Sequence, residues 1–159
     1  MATGAGPQED ARCASGVLAS RFVRRLECSL GMTIVGIGVD LVKVARIRDL
    51  TERWQERFLA RLYTDQERTA CFGRGSPHAS LAGRFAVKEA LLKALGTGWT
   101  DGTRWVDIEV LNDRRGKPIA TVRGRVQDAC RVAGVTGIHV SVSHDGEYAI
   151  AQVVLTGDG

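Results

Sequence analysis

No stretch of this 159-residue chain approaches the ~20 consecutive apolar residues that a membrane-spanning helix needs. A membrane anchor is therefore not expected. Aromatic residues are only 6 % of the chain, and no Lys/Arg run is interleaved with them, so the usual signature of a nucleic-acid-binding surface is missing. The four cysteines, Cys13, Cys28, Cys71 and Cys130, are far apart, with no C-x-x-C pair and no histidine at ligand spacing. Neither a disulfide framework nor a zinc site is supported, and free thiols of a reducing cytoplasm are the expectation.

What is present is an ordinary globular composition: 44 % hydrophobic and 25 % charged, with 19 glycines to supply turns. The net charge of +4 and pI near 9.1 favour an anionic partner, whether nucleic acid, a phosphorylated metabolite or an acidic protein. Residues 1–31 differ from the rest. Met1 to Ser15 is polar and aperiodic, and Val17 to Leu30 has the spacing of a short helix. Arginines in this stretch suit a targeting peptide, but Glu9, Asp10 and Glu27 do not. We expect an N-terminal extension over 1–31 and one domain over 32–159.

From Thr33 the pattern tightens. Thr33 to Val39 reads as a buried strand, and Ala45 to Leu62 as a helix with its apolar stripe at positions 47, 50, 54, 58 and 62. A loop around Gly73–Pro77 precedes a helix over 80–95, which Gly96-Thr97-Gly98 ends. Strands follow over 104–111 and 117–122, joined by a turn over 112–116, then a short helix near 124–133. Strands 138–144 and 147–155 close the chain, joined through Asp145-Gly146 in the manner of a type I′ hairpin. The expected fold is α+β, a mostly antiparallel sheet with helices packed on one side.

Several residues carry chemistry. Asp40 follows Gly36-Ile37-Gly38-Val39 at an expected strand end, where an Asp serves as turn former or N-cap, or as a carboxylate for a hard cation. Glu89 and Lys93 lie one turn apart on one helix face, either a plain i,i+4 pair or a metal ligand followed by a phosphate-binding ammonium. That helix is apolar around much of its circumference, which favours the second role because unpaired burial of charge is costly. Arg84, on another face, suits a phosphate contact or a structural salt bridge. His144 can act as phosphate ligand or proton carrier, whereas His78 and His139 have no such context and are expected to be structural. Arg46, Arg53, Arg57 and Arg61 form one stripe on the first helix, either a solvated face or a docking ridge for an acidic helix.

These segments, in this order, resemble the holo-[acyl-carrier-protein] synthases, the small bacterial class of 4′-phosphopantetheinyl transferases. The likeness covers about residues 33–155. It rests on Gly-Ile-Gly-Val-Asp40, on Leu81 through Glu89 and Lys93 to Gly98, on Asp107-Ile-Glu-Val, on Gly116-Lys-Pro118, and on His139 to His144 followed by Glu147 to Val154. The resemblance implies transfer of the 4′-phosphopantetheine arm of coenzyme A to a serine of apo-acyl carrier protein. It implies release of adenosine 3′,5′-bisphosphate and dependence on Mg²⁺, in the cytoplasm, as part of fatty acid biosynthesis. It further implies Asp40 and Glu89 as metal ligands, Lys93 as phosphate ligand, and Arg84 and His144 near the nucleotide end of coenzyme A. Gly96 matches a backbone approach to the cofactor, and Arg46 a contact to the carrier protein's acidic helix. A homotrimer with sites between neighbouring chains is implied as well. Upstream of Leu81 the chain has Gly75-Ser76-Pro77-His78 where family members often have basic residues, leaving Arg74 as a substitute contact to the 3′-phosphate. The serine nucleophile belongs to the partner; its proton acceptor is open between a metal-bound water, Glu89 and another base. Two other classes compete: a catalytically silent carrier-protein or coenzyme A-binding module, which would not need the metal set, and a nucleic-acid-binding domain inferred from pI alone.

Overall fold

The computed structural model describes residues 31–73, 75–98 and 102–159. The expected N-terminal extension (all but Gly31), Cys13, Cys28 and Arg74 lie outside the described residues. Three long strands, β1 (Met32–Lys43), β4 (Val135–Asp145) and β5 (Tyr148–Asp158), form an antiparallel sheet in the order β1-β5-β4. Strands β2 (Ile108–Asn112) and β3 (Pro118–Val122) pair as a separate antiparallel hairpin. Four helices accompany them: α1 (Val44–Leu62), α2 (Asp65–Phe72), α3 (Pro77–Leu95) and α4 (Gly124–Val132). The α+β architecture with an antiparallel sheet is as expected.

Helix α3 is the centre of the core. Proline at its first turn costs no hydrogen bond there, and Gly96, in the left-handed region at φ 68°, ends it. Leu81, Ala82, Ala86, Val87, Ala90, Leu91 and Leu92 are all buried, several of them against Ala149, Ala151, Val153 and Leu155 of β5. On β1 the inward positions are Gly36 and Gly38. A Cβ at either would overlap a carbonyl oxygen of α3, that of Ala94 or of Ala90. Glycine is needed there because the strand backbone lies directly on the helix backbone.

Five expectations are corrected. Strand β1 does not stop at Val39: it runs to Lys43, and Asp40 pairs with Ala151 inside the ladder. Lys43, not Asp40, is the N-cap of α1, so the capping role for Asp40 falls away. Nor is β1 buried on both faces. Its outward residues Ile37, Val39 and Leu41 are 58 %, 54 % and 61 % exposed, because α3 covers only the inner face. Helix α1 is broken at Gln55 (φ 43°, ψ −125°), which shifts the phase of everything after it. Trp54, expected in the apolar stripe, is 47 % exposed although it lies before the break, and the arginines fall into two sets, Arg46 and Arg53 before the break and Arg57 and Arg61 after it. The last turn carries positive φ only at Gly146, with Asp145 still paired to Tyr148. A single left-handed residue at the first central position is the II′ pattern rather than I′.

Two elements were not foreseen. A 3₁₀ turn, Trp105–Asp107, occupies the start of the segment expected as strand. Helix α2 begins with a reciprocal capping box: Thr64 Oγ1 accepts from Glu67 N–H, and Glu67 Oε2 accepts from Thr64 N–H at 2.8 Å.

Candidate active site where strand β1 meets helix α3

The close backbone approach of β1 and α3 sets Asp40 beside the last two turns of the helix. Lys93 Nζ donates to Asp40 Oδ1 at 2.7 Å and to the Val39 carbonyl oxygen at 3.2 Å. The lysine side chain is 51 % exposed and that of Asp40 15 %. Glu89, one turn earlier and half-buried, has its carboxyl pKa pushed up, first by burial and then by the negative charge of Asp40. Lys93 and Arg46 act on it in the opposite direction. Asp40, Glu89, Lys93 and Arg46, drawn from β1, α3 and the first turn of α1, thus share one electrostatic neighbourhood. Sequence reasoning gave Arg46 a docking role; its influence on Glu89 was not foreseen.

Arg84 and His144 belong to a second, smaller concavity. A cavity of about 140 Å³ is lined by Ser80, Gly83, Arg84, Asn112, Pro118 and His144, among others. The guanidinium of Arg84 is buried and occupied: it donates to Val110 O at 2.9 Å, Ser80 O at 3.2 Å and Asn112 Oδ1 at 3.3 Å. Arg84 therefore ties α3 to the edge of the β2–β3 hairpin, and only its remaining edge faces the cavity. His144 lies opposite Ala149, on the sheet face that also carries Asp40, one row further on and two strands across. Strand and residue spacings put the two about 12 Å apart. His139 instead lies on the outer face, within 3.3 Å of Thr156 Oγ1, a structural setting as expected. Gly96 is the left-handed cap just beyond Lys93, its N–H donating to Lys93 O.

The one fully buried ammonium of the described residues was missed. Lys88 Nζ donates to Leu62 O at 2.6 Å, Glu67 Oε2 at 2.8 Å and Trp105 O at 3.1 Å, and Glu67 Oε1 accepts from Val110 N–H at 3.0 Å. Burial lowers the Lys88 pKa, and the charge of Glu67 opposes that effect. The sequence did hold a signal that the position is unusual, since Lys88 interrupts the stripe Leu81, Lys88, Leu92, spaced 7 and 4, but nothing in it named the partner. A groove of about 880 Å³, between α4 and the Val135 end of β4, contains none of these residues.

The family model described as the 4′-phosphopantetheinyl transferase superfamily matches residues 36–153. A holo-[acyl-carrier-protein] synthase of Halothermothrix orenii is 44 % identical over 121 residues, covering 76 % of this chain and 96 % of that one. The crystal structure of holo-[acyl-carrier-protein] synthase from Neisseria meningitidis superposes with a TM-score of 0.71 at 32 % identity, over 77 % of this chain and 98 % of the other. That of the Bacillus anthracis enzyme, in complex with CoA (3′,5′-ADP), gives 0.64 at 38 % identity over 79 % and 98 %. On the match of 36–153, on identities of this size and on the shared fold, the chain belongs to the 4′-phosphopantetheinyl transferase superfamily and, within it, to the holo-[acyl-carrier-protein] synthases, which makes it a transferase.

Proposed function

We propose that this enzyme transfers the 4′-phosphopantetheine arm of coenzyme A to a serine hydroxyl of apo-acyl carrier protein, releasing adenosine 3′,5′-bisphosphate in a Mg²⁺-dependent reaction. The serine hydroxyl gives its proton to a base as its oxygen bonds to the phosphorus that bears pantetheine, the P–O–P bridge breaks, and its electron pair leaves with the bisphosphate. One observation carries this assignment: Asp40 and Lys93, 53 residues apart in sequence, meet at 2.7 Å beside a second carboxylate whose pKa their neighbourhood shifts.

The donor set suits a hard cation. The Asp40 carboxylate and the Val39 carbonyl already hold an ammonium in this structure, and the Glu89 carboxylate shares their electrostatic neighbourhood. Asp40 and Glu89 would hold the metal, which when bound supplies positive charge to the diphosphate as negative charge develops on the leaving group. Lys93 adds a flexible ammonium to the same phosphates. The roughly 12 Å to His144 suits the reach from a diphosphate to the nucleotide end of coenzyme A, where the free edge of Arg84 also points. Exposed Arg53 and Arg46 lie on the part of α1 before the break, Arg46 next to Glu89, so an acidic carrier docking there would bring its serine to the carboxylates.

We assign a homotrimer on similar grounds. The outer sheet face is apolar along β1, with Ile37 paired to Val154 and Leu41 to Ile150, and is continued by neutral Gln152, Ser141 and Ser143. A face with no charge at its centre suits copies of itself, in the cytoplasm where the buried thiols of Cys71 and Cys130 stay reduced.

The test is incubation with coenzyme A, Mg²⁺ and apo-acyl carrier protein, with mass spectrometry of the carrier and chromatography of the nucleotide product. Label on the carrier, bisphosphate in solution and loss of both with EDTA are expected. Glu89→Gln should lower the rate by about 100-fold or more with circular dichroism unchanged. Full activity in that variant would refute the metal role; activity insensitive to chelation would refute the metal itself.

A further inference from the structure

The position of Lys93 has a consequence for the order in which ligands enter. Its ammonium is held by an Asp40 carboxylate oxygen and by the Val39 carbonyl, and that carboxylate is one that would hold a metal ion. Bound there, it leaves the site near electrical balance, with Asp40 and Glu89 facing Lys93 and Arg46. A divalent cation and an ammonium cannot share one carboxylate edge without strong mutual repulsion, so one of them must leave. Lys93 can leave. It is in the last turn of α3, it is half exposed, and its four-carbon stem reaches a new partner without backbone movement. What its departure needs is an anion to receive it.

We infer that Lys93 is a place-holder for the metal at Asp40, released only when a diphosphate draws the ammonium away, so that cation and substrate bind as a coupled pair. The inference rests on the assignment of Asp40 and Glu89 as metal ligands. Metal alone must expel Lys93 into solvent and leaves the site over-charged. Diphosphate alone meets Lys93 and Arg46 together with two uncompensated carboxylates. Together they exchange the ion pair for two better ones. By linkage, coenzyme A then tightens metal binding by the same factor as metal tightens coenzyme A.

Mn²⁺ binding to the full chain, followed by electron paramagnetic resonance with and without coenzyme A, tests this without any measurement of transfer. For Lys93→Gln, Mn²⁺ alone should bind about fivefold tighter than to the unaltered protein, the weight of one partly exposed ion pair. The gain in Mn²⁺ affinity on adding coenzyme A should shrink in that variant. Arg46→Gln is the control: it removes a positive charge acting on Glu89 but leaves the Lys93–Asp40 contact, and should tighten Mn²⁺ by a smaller factor. Equal gains in the two variants, or none in Lys93→Gln while the unaltered protein binds Mn²⁺ with coenzyme A, would overturn the place-holder. No Mn²⁺ binding by any of the three, with or without coenzyme A, would instead remove the metal site itself.

Discussion

Lys88 and Glu67 sit at the two ends of a buried hydrogen-bond network that joins α3 to the end of α1, the start of α2, the 3₁₀ turn and β2. The ammonium has three acceptors, and the carboxylate receives backbone N–H groups at both oxygens. Such a pair adds little net stability, yet removing one partner strands a charge in the core. Lys88→Met should therefore cost about 3–5 kcal/mol, measured as a fall in the urea midpoint. Glu67→Gln added to it should recover much of that loss. A single variant as stable as the unaltered protein would mean the network carries no such weight. The neighbouring Glu89 belongs to a different category: its raised pKa comes from partial burial and from Asp40, with Lys93 and Arg46 easing it. Asp40, Glu89 and Lys93 could be picked out from sequence because charges on an apolar helix and after a strand-glycine pattern stand out locally. Lys88 could not be assigned a role in the same way, since its acceptors come from positions 62, 67 and 105 and only folding gathers them.

At the scale of elements, the contact of β1 with α3 decides where the site residues lie. Gly38→Ala would drive a methyl group into the Ala90 carbonyl oxygen, and nothing flexible is there to yield. It should cost about 3 kcal/mol or more, at the upper end of overpacking effects, with strand and helix forced apart. Thermal melting reads the loss, and an unchanged melting temperature would contradict the close approach. The element boundaries legible in sequence were those with chemical punctuation, such as Pro77 before α3 and Gly96 after it. The break in α1 had none: Gln55, with its positive φ, is neither glycine nor proline. The stripe over 47–62 was therefore read as continuous, and Trp54 was placed inwards. Helix α2 did have punctuation in its capping box, but at eight residues it is too short for periodicity to reveal.

At the scale of the molecule, one sheet face is covered by α3 and the other presents Ile37, Val39, Leu41 and Ile150 to solvent. In sequence this looked like a buried strand, and the exposed outer face corrects that reading. The covering for the second face is assigned to further copies. Leu41→Asp, placing a carboxylate in that face, should reduce the mass measured by light scattering from three chains to one. A Leu41→Asp protein of unchanged mass would exclude this face from assembly. The overall α+β arrangement was legible because every strand and all but one helix had its own local pattern; how many chains complete it is a property of surfaces, which local patterns do not encode.

The absent side chains at positions 36 and 38 also govern the chemistry. With two backbones in direct contact, no rotamer, no soft methyl and no water layer lies between the element bearing Asp40 and the one bearing Lys93. The separation of the two backbones is thus fixed by peptide geometry, the stiffest ruler a protein has, and what is left to vary lies in the side chains, chiefly the long tether of the lysine. A site that must hand a cation from one holder to another needs one immovable post and one swinging arm, and two hydrogens in place of two carbons provide the post.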